Sequence, residues 1–339
     1  MRGLYGRKGF DIVLRDRPEA ALTGRMVRLR VVACGVCGTD LHFLRDMEDY
    51  TPLGHEISAV VEEVGPEVTR VRPGDRVICE DVSPCGCCPA CKTGRFRLCR
   101  DGYTLNGQPG MSDYLVVREN MLNVFTGIDP ITASMVEPLA VAIRGVQKLR
   151  LKPLGSLAIF GMGAIGLLSA AFARTIGAGR IAMVARQRGS LRNQVAECAA
   201  LDLGADEVYY SGDGERYIRE MLKRGAFDAA IVAAPPSVCE DAMRVVGYGG
   251  TVLVQGVSFA GSALATLNIS DMVFGKKQLL TSLAEPAENF PLSIELIRSG
   301  RVDAGRIITH QLALDDYAQL AELYGRDAAA IKTVMLCGR

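Results

Sequence analysis

The stretch 156-SLAIFGMGAIG-166 decides the fold of the second half of this chain. A short apolar run comes first, the pattern Gly161-Met-Gly163-Ala164-Ile165-Gly166 follows, and the helix-like run LLSAAFARTIGA comes next. A second apolar run, 180-RIAMVA-185, completes a strand–helix–strand pattern. A GxGxxG pattern alone has little specificity. Placed between a strand and a helix, inside a unit of about 30 residues, it predicts a dinucleotide-binding turn.

The glycines of this turn have separate physical roles. They permit a tight turn and a close approach of the backbone to a pyrophosphate, which then meets the N-terminus of the helix. Further apolar runs, 227-FDAAIVAA-234 and 251-TVLVQG-256, alternate with helix-like segments. We therefore predict an α/β fold with a doubly wound parallel sheet, in which Gly161, Gly163, Ala164, Ile165 and Gly166 contact the cofactor.

The end of the second predicted strand indicates which dinucleotide is bound. An acidic residue at this position would hold the ribose 2′-hydroxyl of NAD. The chain instead reads Ala185-Arg186-Gln187-Arg188. The planar guanidinium of arginine can donate two hydrogen bonds to a phosphate. The sequence thus predicts NADP(H), bound beside Ala185 with Arg186 as first contact and Arg188 as second. The alternative is that both arginines are solvated loop charges.

The composition argues against a nucleic-acid or membrane-surface role. The 339 residues are 49% hydrophobic, enough for a large core and, by length, for two domains. The net charge is +1, and no basic tract stands out. The N-terminus lacks the apolar core of a signal peptide, and the longest apolar runs are too short to span a membrane. We therefore expect a cytoplasmic protein, in which thiols stay reduced.

Five cysteines fall within the segment 85-CGCCPACKTGRFRLC-99. In a reducing compartment, clustered cysteines are metal ligands more often than disulfides. Four thiolates on one short lobe can close a tetrahedral zinc site with no open position. The predicted ligands of this structural zinc, in a lobe spanning residues 79–100, are Cys85, Cys88, Cys91 and Cys99. The alternative is a set of incidental buried cysteines. Cys87 is either a spare thiol or a substitute for a neighbouring ligand.

Other potential metal ligands are spread over the first half, in 34-CGVCGTDLH-42, 54-GHE-56 and 135-MVEPLAVA-142. Cys37, His55 and Glu56 offer sulfur, nitrogen and oxygen from separate loops, and Glu137 offers a further carboxylate. A catalytic zinc typically takes three protein ligands and leaves a position for water or substrate. The set therefore predicts an open zinc site. The alternative is that His55 and Glu56 are an ordinary surface pair.

Thr39 and His42 follow Cys37 by two and five residues. A hydroxyl near a metal-bound alcohol can accept its proton, and a histidine can relay that proton towards bulk water. The alternative is that Thr39 caps a short helix beginning near Asp40 and that His42 lies on its exposed face. The two interpretations of Thr39 are compatible with each other.

The first half of the chain also contains segments with the pattern of short strands. Apolar and polar residues alternate in 26-MVRLRVVAC-34, 57-ISAVVEEVG-65 and 113-DYLVV-117, and the turn 72-RPGD-75 leads into 76-RVIC-79. This pattern predicts a β-rich domain with Gly and Pro turns.

Together these segments resemble the zinc-containing medium-chain alcohol dehydrogenases over nearly the whole chain. The resemblance rests on GVCGTDLH, the GHE turn, the four-cysteine lobe, EPLAVA, GMGAIG and the tail 293-SIELIRSGRVDAGRIITHQLALDDYAQ-319. It implies a β-rich GroES-like catalytic domain over residues 1–145, a Rossmann domain over 146–285 and a C-terminal return to the catalytic domain over 286–339. It also implies a homodimer or homotetramer.

Within this family, the Cys-His-Glu set with a downstream Glu-Pro is more similar to the sorbitol and glucose dehydrogenase branch. The simple-alcohol branch usually has a cysteine near the position of Glu137. The resemblance implies that Cys37, His55 and Glu56 are zinc ligands. It also implies that Glu137 either binds the metal directly or holds its water. One departure from the family pattern is the short segment between Cys37 and His55, which has only 17 residues. In the family, this region usually helps to form the wall of the substrate site.

The expected reaction is the reversible oxidation of a secondary alcohol or hemiacetal hydroxyl, on a polyol or sugar, by hydride transfer to NADP. Thr39, with His42 behind it, is expected to remove the hydroxyl proton. One alternative is a dehydrogenase of a simple alcohol or of an amino-sugar intermediate. Another is a catalytically idle NADPH-binding protein, which intact metal ligands argue against.

Overall fold

The structure, a computed structural model, describes residues 1–18, 20–258, 263–284, 287–325 and 330–338. Its strands are β1 (Arg2–Arg7), β2 (Asp11–Asp16), β3 (Met26–Gly35), β4 (Thr51–Pro52), β5 (Glu56–Val64), β6 (Arg76–Cys79), β7 (Val82–Ser83), β8 (Tyr103–Thr104), β9 (Tyr114–Arg118), β10 (Leu122–Val124), β11 (Ser156–Phe160), β12 (Arg180–Ala185), β13 (Glu207–Tyr210), β14 (Phe227–Val232), β15 (Val246–Val254), β16 (Gln278–Thr281), β17 (Ile308–Ala313) and β18 (Lys332–Leu336). Its helices are α1 (Gly38–Asp46), α2 (Pro89–Lys92), α3 (Pro130–Ala133), α4 (Val136–Leu149), α5 (Ala164–Thr175), α6 (Leu191–Asp202), α7 (Glu215–Leu222), α8 (Cys239–Val245), α9 (Ile269–Phe274), α10 (Phe290–Arg298) and α11 (Gln319–Leu323).

The larger sheet combines strands from the first 124 residues with two from the tail. Its order is β10-β6-β5-β3-β18-β17, and β9 also pairs with β3. Along β3, fully buried residues alternate with partly exposed ones, which is the pattern of a strand with one face on a core. In the tail, β18 runs antiparallel to β3, with Met335 opposite Cys34. The β-rich first half is therefore confirmed, and the last strands complete its sheet.

The second sheet has six strands among the described residues, all parallel, in the order β13-β12-β11-β14-β15-β16. This is the 3-2-1-4-5-6 order of a doubly wound fold. Its central strands read as continuous apolar runs because helices cover both faces. The predicted fold class is confirmed. In such sheets the order reverses beside the first strand, so the ligand crevice lies at the carboxyl ends of β11 and β14.

Helix α4 contacts both sheets and therefore connects them. It packs against α5 and β15 on one side and against β5 on the other. At Gly145 it approaches β15 so closely that an added Cβ would lie 2.2 Å from Oε1 of Gln255. The predicted domain boundary at 145/146 lies inside this helix. The predicted boundary at 285/286 falls on residues outside the described part of the chain.

Candidate metal and dinucleotide site

Three potential metal ligands from two segments of the chain meet at one end of the larger sheet. Cys37 immediately precedes α1, His55 follows a glycine turn and Glu56 is the first residue of β5. One ligand atom from each lies within 4.8 Å of the others. The turn requires glycine, because Gly54 has φ +89° and an added Cβ would lie 2.7 Å from the backbone N of Met111.

Asp40 connects the two loops that provide these side chains. One carboxylate oxygen accepts a hydrogen bond from the N–H of Cys37 at 2.8 Å, and the other accepts from the N–H of Gly54 at 2.9 Å. Asp40 is 1% exposed. The sequence analysis did not single it out, although an acidic residue three positions after a helix N-cap is a capping-box signal.

The alternative interpretation, in which Thr39 caps a helix beginning near Asp40, does not match the structure. Helix α1 begins at Gly38, its N-cap is Cys37, and Asp40 completes the capping box. Thr39 lies in the first turn, with its hydroxyl 3.8 Å from Sγ of Cys37. His42 follows one turn later, partly exposed, with Nδ1 3.6 Å from an oxygen of Asp46. Residues three apart lie on the same face of a helix, so Thr39 and His42 lead from the cysteine towards solvent.

A buried lysine from the tail reaches this cluster. Nζ of Lys332, the first residue of β18, donates to Glu56 at 2.5 Å and to the backbone oxygen of Val36 at 2.9 Å. Burial alone would lower the pKa of Lys332, but Glu56 and Cys37 outweigh burial and raise it. The sequence signal for Lys332 was a lone lysine in the apolar run 330-AIKTVML-336. Its role could not be predicted from the sequence, because strand pairing rather than a local pattern brings Lys332 to Glu56.

Glu137, in the first turn of α4, lies beside the cluster but outside the 4.8 Å group. Burial raises its pKa to about 8, and Glu56 adds to this effect while His55 opposes it. Burial alone would lower the pKa of His55, but Cys37, Asp40 and Glu137 hold it well above its usual value.

Asp81 is a further carboxylate that the sequence analysis did not single out. Ile57 of β5 pairs with Cys79 of β6, so His55 and Asp81 each lie two residues beyond that pair, at the same end of the sheet. Asp81 contributes to the raised pKa of Glu137, after burial and Glu56. One oxygen of Asp81 is buried and has no hydrogen-bond partner within the described residues. It is therefore available to a polar group that enters the site.

The donor sets fit divalent zinc. Sulfur, nitrogen and oxygen donors from Cys37, His55 and Glu56 correspond to an open site with three protein ligands. Glu56 Oε2 is completely buried and lies 2.5 Å from Nζ of Lys332. A buried carboxylate is costly unless cations compensate its charge, and a metal ion beside Lys332 would add to that compensation.

The four-cysteine lobe has the geometry of a closed sulfur site. The sulfur atoms within 4.8 Å of one another belong to Cys85, Cys88, Cys91 and Cys99. Zn–S bonds of about 2.3 Å place the sulfurs of a tetrahedral site about 3.8 Å apart. The observed Sγ–Sγ distance between Cys85 and Cys91 is 3.9 Å. The sulfurs are therefore already spaced for one zinc ion.

The fifth cysteine of the lobe is not one of the four whose sulfurs all lie within 4.8 Å of one another, although it is close to Cys85. Cys87 is exposed, and its sulfur lies 3.6 Å from that of Cys85. Backbone N–H groups of Cys87 and Cys88 lower the pKa of Cys85 to about 6, which favours its thiolate form. Burial raises the pKa of Cys91 to about 12, so that thiol would need a cation to ionise at neutral pH.

The glycine turn forms the predicted cradle between β11 and α5. Gly161 has φ +120°, and an added Cβ would lie 2.7 Å from the backbone oxygen of Ala233, just after β14. At Gly166, an added Cβ would lie 1.9 Å from the backbone oxygen of Gly161. Gly163 is the N-cap of α5. The turn therefore leaves a side-chain-free surface at the switch point of the sheet, which fits a pyrophosphate.

The two predicted phosphate-binding arginines differ in their surroundings. Arg188 donates to Asp213 at 3.1 Å and stacks over the ring of Tyr210. The exposed Arg186 side chain makes no hydrogen bond or ion pair with the residues that the structure describes. Both follow Ala185, the last residue of β12. The Arg186 side chain is therefore available to bind an anion. Arg188 would have to bind the anion in addition to Asp213 or lose its contact with Asp213.

Comparisons with known proteins match both halves of the chain. The Alcohol dehydrogenase GroES-like domain model matches residues 24–126, and the Zinc-binding dehydrogenase model matches residues 164–299. D-xylulose reductase A of Aspergillus oryzae is 30% identical, over 91% of this chain and 89% of that protein. Sorbitol dehydrogenase of Bacillus subtilis is 29% identical, over 90% of this chain and 88% of that protein.

A solved structure has the same fold over nearly the whole length of both chains. It is a zinc-binding dehydrogenase of Sinorhizobium meliloti bound to NADP. The TM-score is 0.87 at 25% identity, over 99% of this chain and 98% of that chain. The described residues contain no helix that is both long and apolar enough to cross a membrane.

Proposed function

Because the chain belongs to the zinc-containing medium-chain alcohol dehydrogenase family, and is a medium-chain alcohol or polyol dehydrogenase, we propose that it oxidises a secondary alcohol or hemiacetal hydroxyl of a polyol or sugar, with NADP(H) as hydride carrier. The single observation that most supports this proposal is the meeting of Cys37, His55 and Glu56 at one end of the larger sheet. The domain limits remain those proposed above, residues 1–145, 146–285 and 286–339.

We propose two zinc ions per chain. The first would be held by Cys37, His55 and Glu56, with Glu137 as a fourth ligand or as the group that holds a water. It would supply a Lewis acid for the substrate hydroxyl. The second, held by Cys85, Cys88, Cys91 and Cys99, would fix the lobe, which has too few apolar residues to hold itself.

The chain's own groups move the proton and orient the substrate. The Thr39 hydroxyl, 3.8 Å from the sulfur of Cys37, is in position to accept a proton from a hydroxyl group bound there. His42, one helical turn further and next to Asp46, would pass that proton towards solvent. The nicotinamide of the cofactor would accept the hydride from the substrate carbon.

A polyhydroxylated substrate is supported by the relatives and by Asp81. The names of the relatives include a xylulose reductase and a sorbitol dehydrogenase. The buried, unpartnered oxygen of Asp81 near Glu137 is an acceptor for a second hydroxyl of the substrate. A simple alcohol would leave that oxygen desolvated without a partner, which disfavours binding.

NADP(H) rather than NAD(H) is supported by Arg186 and Arg188 at the end of β12, where no carboxylate stands. The available Arg186 side chain would bind the 2′-phosphate. Arg188 would assist from its position over Tyr210. The glycine turn from Gly161 to Gly166, with Ala164 and Ile165 at the start of α5, would hold the pyrophosphate.

We further propose a cytoplasmic homo-oligomer, a dimer or a tetramer. Strand β16 is the outer strand of its sheet in the described part of the chain, and Leu279 on it is 38% exposed. Two copies could pair at this edge about a twofold axis, which would cover the unpaired backbone groups. The reducing compartment would keep the eleven cysteines free of disulfide bonds.

The test combines metal analysis with an activity screen. We expect about two zinc ions per purified chain and oxidation of polyols or sugars with NADP+ in preference to NAD+. Arg186→Ala should lower kcat/KM with NADP+ roughly tenfold or more and leave the NAD+ value unchanged. Arg216→Ala, an exposed arginine on α7, is the matched control.

The outcome that contradicts the proposal is equally clear. Retention of about one zinc per chain in the cysteine lobe, with NADPH binding but no turnover of any alcohol, would indicate an idle NADPH-binding protein instead. A preference for simple alcohols over polyols would contradict only the substrate class.

A further inference from the structure

A cavity lies between the four-cysteine lobe and the turn that precedes α10. Its volume is about 370 Å³, and ligand-binding pockets have volumes of about 300–1,000 Å³. The lobe contributes Phe96, Arg97 and Cys99 to the wall of this cavity, and the turn before α10 contributes Ala287 and Glu288. The wall includes none of the proposed ligands of the catalytic metal. The cavity is therefore separate from the site described above.

A buried carboxylate belongs to the wall of this cavity. Glu80, which directly follows β6, is only 6% exposed. Its Oε1 accepts a hydrogen bond from Nδ2 of Asn123 at 2.8 Å. Its Oε2 is buried and has no hydrogen-bond partner among the residues that the structure describes. A buried carboxylate oxygen without a donor raises the free energy of the protein, and a ligand that donates a hydrogen bond would remove this cost.

The polar residues that share the wall with Glu80 do not supply this donor. Oγ of Ser83 donates to the backbone oxygen of Asn120, and Nδ2 of Asn120 donates to Oγ of Ser83, both at 3.3 Å. Arg70 also lines the cavity, but its side chain is exposed and donates no hydrogen bond to Glu80. Within the described part of the chain, Oε2 of Glu80 thus remains an acceptor for a group that enters the cavity.

The charges and the apolar residues of the wall determine which ligand fits. Two carboxylates line the cavity, Glu80 and the half-buried Glu288, and they would repel an anionic ligand. The exposed Arg97, 3.5 Å from Glu288, is screened by solvent more than Glu80 is. A protonated amine donates a charge-assisted hydrogen bond to a carboxylate, which is stronger than the bond from a neutral hydroxyl. The apolar residues of the wall include Val82, Pro84 and Phe96.

We propose that this cavity is a binding site for a small organic ammonium ion. The N–H groups of the ligand donate to Oε2 of Glu80, and its apolar part packs beside Phe96, whose ring also favours a nearby cation. The inference does not depend on the proposed dehydrogenase reaction, because no residue of this wall has a role in the proposed proton or hydride transfer. The site is thus a second, non-catalytic ligand site on the same chain.

The experiment titrates benzylammonium into the purified full-length protein in a calorimeter. Wild type should bind this probe with a dissociation constant of about 1 mM or lower. Glu80→Gln keeps an acceptor for Asn123 but removes the negative charge, so it should weaken binding roughly tenfold or more. Benzyltrimethylammonium has the same ring and charge but no N–H group, and it should bind to wild type roughly tenfold more weakly. The exposed Glu67→Gln is the matched control and should change neither constant.

A second variant separates this cavity from other places where an amine can bind, such as the proposed catalytic zinc. Val82→Phe adds a ring to the wall of the cavity and should abolish the binding of benzylammonium. Benzylammonium binding that survives in both Glu80→Gln and Val82→Phe overturns the proposal, as does wild-type protein that binds no benzylammonium. If either variant lowers the melting temperature, the two probes on wild type decide the question, and equal affinities for them overturn the role of Glu80.

Discussion

Lys332 and Glu56 form an ion pair that solvent hardly reaches, with exposed fractions of 2% and 1%. A buried ion pair gains little over two apolar residues, but removal of one partner leaves an uncompensated charge. Here the pair also fixes the carboxylate next to Cys37 and His55. We therefore expect the lysine to act on the proposed metal site through the orientation of Glu56.

We expect Lys332→Met to lower the free energy of unfolding by about 3–5 kcal/mol, because Glu56 is left charged in a buried place. Chemical denaturation of the purified protein measures the change. The double variant with Glu56→Gln should recover part of the loss, since it removes the orphaned charge. Equal denaturation midpoints for Lys332→Met and wild type would refute this account.

Glu119 gives a pH-dependent prediction away from the metal ligands. Its carboxylate accepts from the N–H groups of Thr69 and Arg70, both at 2.8 Å, and pairs with Arg25 at 2.8 Å. Burial alone would raise the pKa of Glu119, but these three partners outweigh burial and lower it. The folded state therefore favours the ionised form more than the unfolded chain does.

Because the folded-state pKa lies below the unfolded value of about 4.3, the stabilisation is present above that pH. It is lost as the pH falls through the lower folded-state value. Glu119→Gln should therefore cost about 1–3 kcal/mol at pH 7 and progressively less below about pH 4. Urea denaturation across this range measures the difference, with the exposed Glu67→Gln as control. A loss that is independent of pH would show that ionisation of Glu119 is not the cause.

At the scale of elements, we expect the four-cysteine lobe to be the segment that depends most on the proposed zinc ion. Between residues 85 and 99, its regular structure is limited to the four-residue helix α2 and a short 3-10 turn at Phe96–Leu98. Phe96 and Leu98 are 42% and 61% exposed, so they contribute little burial. The four sulfur atoms are the groups that can hold the lobe together.

Replacement of one predicted ligand should release one zinc ion. We expect Cys91→Ser to lower the zinc content from about two to about one per chain and to open the lobe to proteolysis between residues 85 and 99. Metal analysis and limited digestion measure these effects. Cys87→Ser is the matched control because Cys87 is exposed and outside the sulfur group. Loss of zinc in the control instead would assign Cys87 as a ligand.

Across the whole molecule, the exposed edge of the parallel sheet points to self-association. Beside β16, Val273 and Phe274 at the end of α9 are 68% and 83% exposed. A neighbouring apolar surface and an open strand edge together are a risk for aggregation unless a partner covers them. A second copy of the same edge is a self-complementary partner.

Leu279→Lys should therefore weaken the oligomer, because a charge on the edge strand would be desolvated on pairing. Light scattering after size-exclusion chromatography would report a shift towards the monomer mass. Leu154→Lys, at an 83% exposed position before β11, is the control and should leave the mass unchanged. An oligomer that withstands Leu279→Lys must use another surface.

The sequence determined the elements whose signals are local. The glycine turn, the apolar strands around it and the close cysteine spacing each lie within a few tens of residues, where backbone sterics and ligand geometry fix the outcome. Strand β6 was predicted with its observed bounds, Arg76–Cys79. The sequence also indicated Cys37, His55 and Glu56 as one set of ligands, but not the distances between their ligand atoms.

Only the tertiary structure decided which distant groups meet. Pairing of β18 with β3 brings Lys332 to Glu56. The register of β5 and β6 brings Asp81 to the end of the sheet that holds His55. Asp40 joins the loop that contains Cys37 to the turn at Gly54. No local pattern encodes these contacts, because strand order and register depend on the packing of the whole core. The capping of α1 by Cys37 rather than Thr39 also depends on the tertiary structure, because Asp40, which completes the capping box, accepts a hydrogen bond from the N–H of Gly54.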